Sequence, residues 1–279
     1  MQMFATNSDR QRRLSPFRFA CGGLLALFVL VILGLVAADV TYLYAKGVNW
    51  RQATSLMTQD RVLFALRMSV ATSLTTLVLI MFTAVPVGYA LSRYRFPGRA
   101  LANTVVDVPI VLPPVVIGIS LLAFFSFGVG EPIRRALATA NMSLVSGLGI
   151  VMCQYLMAVS YCVRSVKTAF QSVDPALEQV ACVMGCSEWQ TFWRVSLPLA
   201  RNGLIAGGVM AWARAIGVFG PIMVFVGTGP RVLVMPTTLW LELSIGNIET
   251  AIVIALIMLA LAGAALTLVH WLSPDGAAV

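Results

Sequence analysis

Six stretches of this chain are apolar and long: residues 19–42, 62–91, 105–127, 144–164, 203–227 and 248–271. Crossing a bilayer takes about 20 mostly apolar residues in a helix. Lipid offers the backbone no hydrogen bonds, so each stretch must satisfy its own amides and carbonyls, and helices do so. The expected fold is therefore an all-α integral membrane protein with six transmembrane helices. A mean hydropathy of +0.89 agrees with this. So does a composition of 59% hydrophobic and 11% charged residues, which is outside the range of soluble globular domains.

The first stretch, FACGGLLALFVLVILGLVAA, follows Arg10, Arg12, Arg13 and Arg18. A cleaved signal peptide has that charge pattern, but its apolar core is about 7–15 residues. The longer run here reads as an uncleaved span. Lys and Arg then orient the chain. With the N-terminus in the cytoplasm, inner segments hold eleven basic residues and outer loops six, while Arg67 and Arg214 lie within spans. Both termini are expected in the cytoplasm. Residues 1–18 form a basic tail, 19–61 the first helix and outer loop, and 62–271 the main transmembrane domain, with 272–279 a short tail.

The net charge of +8 is dispersed, with no basic stripe and no interleaved aromatics. That excludes a nucleic-acid surface as the reading. The five cysteines suggest neither a disulfide framework nor a zinc site, since no His or second Cys pair lies near Cys182 and Cys186. The chain has no G-x-x-x-x-G-K-[ST] loop and no grouping suited to hydrolysis. It is expected to bind no cofactor or metal and to catalyse nothing itself.

The most ordered hydrophilic segment is DPALEQVACVMGCSEWQTFWRVSLPLA, residues 174–200, within an inner loop of 165–202. Asp174-Pro175 is a helix start, with an N-cap acceptor and a proline at the first helical position. Leu177, Val180, Ala181 and Met184 recur on one helical face. Gly185 suits a left-handed helix end. Ser187 and Gln190 fit a capping box for a second short helix. That helix puts Trp189, Phe192 and Trp193 on one side, and Pro198 is expected to end it. Two uses fit such a pair: an amphipathic layer on the headgroups, or a docking element with aromatic anchors.

This segment resembles the EAA loop of binding-protein-dependent ABC importer permeases. The family pattern is Glu-Ala-Ala, three residues, Gly, nine residues, then Ile-x-Leu-Pro. Gly185, nine residues and Val195-Ser196-Leu197-Pro198 match its second half. The front departs: Gln179, Val180 and Ala181 stand at the Glu-Ala-Ala positions, and Glu178 is one residue early. YRFPGRALANTVVDVPIVLPPVVIGISLL, residues 94–122, is similar to the Leu-Pro-Pro region of molybdate and sulfate permeases. WARAIGVFGPIMVFVG, residues 212–227, is similar to their ARA element, but Val218 replaces its acid.

The resemblance implies the type I ABC importer permease fold and a multi-pass subunit of a bacterial or archaeal cytoplasmic membrane. It implies ABC ATPase subunits that hydrolyse ATP, an extracytoplasmic substrate-binding protein, and a second permease copy or paralogue. It assigns ATPase coupling to Glu178, Gln179, Ala181, Gly185, Ser187, Trp189, Phe192, Trp193 and Pro198. Pro113 and Pro114 would break a helix beside the substrate pathway. Arg214, in the fifth span, either lends positive potential to a passing oxyanion or binds helix carbonyls. The implied substrate is molybdate, tungstate or sulfate; iron, thiamine or a polyamine would suit related permeases. An ion-coupled secondary transporter would instead show a buried midplane acid and matching broken spans. Gly203, Gly207 and Ala211 form a small-residue face that fits packing within the subunit or across a dimer.

Overall fold

The computed structural model describes residues 16–48, 50–128, 130–139, 144, 146–229 and 232–272. Residues 1–15 of the expected basic tail and 273–279 of the C-terminal tail lie outside the described residues. The chain divides near residue 54 into two units. The first carries α1 (Pro16–Ala45), an apolar helix longer than a membrane crossing requires. Helix α2 (Trp50–Met57) spans the division.

The second unit is built on α3 (Asp60–Arg93), α4 (Arg99–Val111), α5 (Pro114–Ser126), α6 (Gly130–Thr139) and α7 (Gly147–Ser172). After α8 (Pro175–Val183) and α9 (Glu188–Thr191) come α10 (Leu197–Ile216), α11 (Gly220–Phe225), α12 (Met235–Ser244) and α13 (Ile248–Leu272). Four helices among the described residues (α1, α3, α7 and α13) are long and apolar enough to cross a membrane. The bent pair α4–α5 makes a fifth if counted as one broken span.

Two expected spans are interrupted. The stretch 105–127 is not one helix: α4 and α5 meet at 111°. Leu112 precedes a proline and is driven to extended backbone at φ −65°, ψ 134°. Pro113 is extended too, and Pro114 then starts α5 at a position where its missing N–H costs nothing. Pro109, by contrast, stays inside α4. The stretch 203–227 begins earlier, at Leu197, and breaks after Ile216; α11 resumes for only six residues.

The core lies where α3, α7 and α10 pack. Ile80 and Ala84 of α3, Cys162, Val166 and Phe170 of α7, and Ala211 and Ala215 of α10 are buried there. Small residues set the spacing. A Cβ on Gly88 would lie 2.7 Å from Val166 Cγ1, one on Gly207 2.7 Å from Ser165 Oγ, and one on Gly203 would clash with Ala169 Cβ. The small-residue face of α10 is thus used within the subunit, against α7. A second cluster joins Ile117, Leu121 and Phe125 of α5 to Ile150 and Met157 of α7 and Ile222 of α11.

Candidate coupling face and membrane groove

The segment after α7 folds through contacts a few residues apart. Asp174 Oδ1 accepts the Ala176 amide at 2.9 Å, and Pro175 opens α8. Gly185, at φ +91°, ends it. The Cys186 amide donates to the Ala181 carbonyl and the Gly185 amide to Cys182, both at 3.0 Å, the paired bonds of a Schellman turn. Ser187 and Gln190 close a reciprocal capping box, at 3.3 Å and 3.0 Å.

Pro198 does not end the second helix. α9 runs into a π-helical stretch, Phe192–Ser196, and on into α10 without leaving helical backbone. The Leu197 amide reaches the Phe192 carbonyl five residues back. An interior proline has no N–H and crowds the carbonyl four residues before it; a wider turn is one way a helix absorbs that mismatch.

The apolar residues of this segment divide between two surfaces. Ala181 is buried. Phe192 turns inward, its ring 4.9 Å from Tyr89 and 6.1 Å from Phe170. Val180, Val183, Met184, Trp189 and Trp193 face outward, with Trp189 69% exposed. The two tryptophans meet edge to face at 5.6 Å. The inward side fastens the segment to α3 and α7; the outward side is an apolar surface.

Glu178 belongs to the fastening. Its Oε1 accepts Arg93 Nη2 at 2.9 Å, Arg93 Nε at 3.0 Å and Ser196 Oγ at 2.7 Å. Arg93 Nη2 also donates to the Val173 carbonyl at 2.8 Å. Both side chains are largely buried, 12% and 14% exposed. Gln179, at the family's Glu position, is exposed instead. Arg93 stood in the sequence only as an orienting charge. The acid one residue before the family's Glu position and the arginine that ends α3 were the available signal.

The Leu-Pro-Pro and ARA elements come together. A Cβ on Gly220 would lie 3.4 Å from Pro114 Cβ, and one on Gly118 2.9 Å from Pro221 Cα. The α4–α5 elbow thus lies beside the start of α11. Pro113 and Pro114 are exposed. Val218, where the family acid would stand, is 3% exposed and packs in the apolar cluster of α5, α7 and α11.

Arg214 occupies the last turn of α10 and is exposed. Its guanidinium carbon lies 5.7 Å from the centre of the Tyr161 ring, a cation–π contact. Tyr161 also lines a groove of about 690 Å³ between α7 and α10, with Arg164, Thr168, Asn202, Leu199 and Met210. Among the described residues no three His, Cys, Asp or Glu side chains gather as a metal site would require.

A bundle of apolar helices, a broken span and a capped helix pair presenting tryptophans define a multi-pass membrane protein of the transporter-permease class. The chain belongs to the family of binding-protein-dependent transport system inner membrane components, whose model matches residues 80–275. It is 33% identical to the molybdate/tungstate transport system permease protein WtpB of Pyrococcus abyssi, over 68% of this chain and 71% of that protein. It is 29% identical to the sulfate transport system permease protein CysT of Escherichia coli, over 81% and 79%. The fold is similar to a chain in the crystal structure of a bacterial ABC transporter involved in the import of the acidic polysaccharide alginate. That match has a TM-score of 0.74 and 14% identity, over 97% of this chain and 98% of the other.

Proposed function

We propose that this chain is the permease subunit of an ATP-driven importer of a tetrahedral oxyanion: molybdate, tungstate or sulfate. The observation that carries the coupling role is the division of segment 174–200 into a fastened inner side and an apolar outer side with Trp189 and Trp193. An outer face of this kind suits a groove on a cytoplasmic partner. The substrate class rests on the kinship with molybdate/tungstate and sulfate permeases.

In this reading the chain crosses a bacterial or archaeal cytoplasmic membrane six times, through α1, α3, the α4–α5 pair, α7, α10 and α13, with both termini inside. Residues 62–271 form the transporting domain, with 165–202 as its coupling loop. Two ATPase subunits dock on the loops of two permease chains, identical or related. They hydrolyse ATP, while this chain holds no cofactor. A binding protein delivers the oxyanion outside. Gln179, Trp189 and Trp193 face the ATPase; Glu178, Ala181 and Phe192 hold the loop to the bundle; Gly185 and Ser187 set its bend, and Pro198 accompanies the π turn that joins the loop to α10. Closure of the ATPases moves the loops and reorients the spans between two packed arrangements. Pro113, Pro114 and Arg214 border the pathway.

The test is reconstitution with the ATPase and binding protein in proteoliposomes. ATP-dependent uptake of tungstate is expected. Uptake by this chain alone without ATP would overturn the importer reading.

A further inference from the structure

The groove between α7 and α10 sets a row of polar side chains from α7 against apolar Leu199, Ala206 and Met210 of α10. Tyr161, Arg164, Ser165, Thr168 and Ser172 recur every three or four residues along α7, so they share one helix face. Asn202 faces them from α10, among Gly203 and Ala206. Arg164 lies eight residues from the end of α7 at Ser172, roughly 12 Å along the axis at 1.5 Å per residue. In the orientation above, this is the inner edge of the span 144–164, where the groove opens toward the cytoplasm.

The donors in this groove divide into used and unused. The Thr168 hydroxyl donates to the Arg164 carbonyl at 3.0 Å, Ser172 to the Ala169 carbonyl at 2.8 Å, and Ser165 to the Gly203 carbonyl at 3.4 Å. Those three are turned back onto the backbone. The side chains of Arg164 and Asn202 and the hydroxyl of Tyr161 make no hydrogen bond or ion pair among the described residues. No Asp or Glu lines the groove. Arg61 and Arg93, by contrast, pair with Glu242 and Glu178, and Lys167 donates to Asn103 at 2.7 Å. Arg164 is thus an unneutralised cation in the same groove as two neutral donors, with Arg214 over the Tyr161 ring.

This set matches one chemistry. A guanidinium presents a fork of donors suited to the oxygens of a tetrahedral anion, and hydroxyl and amide donors add contacts without adding charge. A cation would be repelled, and an apolar solute would leave every donor unmet. One exposed guanidinium also holds a small anion loosely enough to release it, as conduction requires.

We propose that the α7–α10 groove is a transient binding site for the translocated oxyanion, with Arg164 as its charge partner and Tyr161 and Asn202 as neutral donors. The proposal rests on the oxyanion-importer reading above and extends it to a specific station at the cytoplasmic exit. A phospholipid headgroup offers the same tetrahedral chemistry, so the test separates the two sources.

The permease–ATPase complex, held in phosphatidylcholine nanodiscs without the binding protein, is titrated with radiolabelled tungstate by equilibrium dialysis. Saturable binding is expected, weakened about tenfold by Arg164→Gln, partly restored by Arg164→Lys, and weakened less by Asn202→Ala. In proteoliposomes with binding protein, Arg164→Gln is expected to lower tungstate uptake at unchanged chain abundance. Tungstate binding and uptake unaffected by Arg164→Gln would overturn the site while leaving the importer reading intact. Absence of ATP-driven oxyanion uptake by the unaltered complex would remove the importer reading and the site together. If native mass spectrometry finds phosphatidylglycerol retained by the unaltered complex and lost from Arg164→Gln, with no tungstate bound by either, the groove holds a headgroup and the transport station is overturned.

Discussion

The guanidinium of Arg93 grips the carboxylate of Glu178 at 2.9 Å, across 85 residues of sequence. It ties the last turn of α3 to the first turn of α8. Ser196, in the π-helical stretch, donates to the same carboxylate oxygen at 2.7 Å. One acid therefore fastens three elements: α3, α8 and the π-helical stretch that leads into α10. In the proposed importer, a force applied to the outer face of the loop would reach α3 and α10 through this joint.

Breaking the joint should uncouple the transporter. Removing one partner of a largely buried pair strands the other, at a cost of about 3 kcal/mol. Arg93→Ala and Glu178→Gln are both expected to lower ATP-driven uptake more than they lower chain abundance. The reversed pair, Arg93→Glu with Glu178→Arg, should recover part of the loss. Uptake and ATPase stimulation left unchanged by Glu178→Gln would remove this acid from the coupling path.

Trp189 and Trp193 should matter only when the ATPase is present. Neither belongs to the buried core, so Trp189→Ala with Trp193→Ala should leave the isolated chain as stable as before. Buried aromatic anchors at interfaces are often worth 2 kcal/mol or more, roughly thirtyfold in affinity. Co-purification of the ATPase subunit measures the loss. Retention of the ATPase at its usual level would place docking elsewhere.

Gly203 is held small by Ala169. Gly203→Ala puts two methyl carbons in conflict at the α7–α10 crossing, and overpacking of this kind costs about 1–3 kcal/mol. Thermal unfolding in detergent should shift downward. Ala169→Gly in the same chain should restore it, because the second change removes the opposing atom. A double variant no better than the single one would show that the helices do not meet there.

Val218 stands where the ARA element that this segment resembles would have an acid, and it is 3% exposed among apolar side chains. Val218→Glu buries a carboxyl with no partner, which costs several kcal/mol unless the group stays protonated. Lower abundance and an earlier melt are expected, with Val218→Ile close to the unaltered chain. An unchanged melt for Val218→Glu would mean that the side chain finds a partner or water.

The sequence by itself determined the features whose partners lie close along the chain. Membrane segments at 62–91 and 248–271 are legible because lipid demands continuous apolarity, whatever the neighbours. The bend in the coupling loop is legible because Asp174, Gly185, Ser187 and Gln190 each find their hydrogen bonds within five residues. Only the tertiary structure decided which surfaces meet. The face of Gly203 and Gly207 fits a dimer or a neighbouring helix equally well until α7 is seen against it. Pro198 reads as a stop, yet a π turn carries the helix past it. Glu178 reads as a displaced contact for a partner, yet it turns inward to Arg93. A cap is closed by its own local backbone, whereas an ion pair or a helix crossing depends on which distant residues the fold brings within reach.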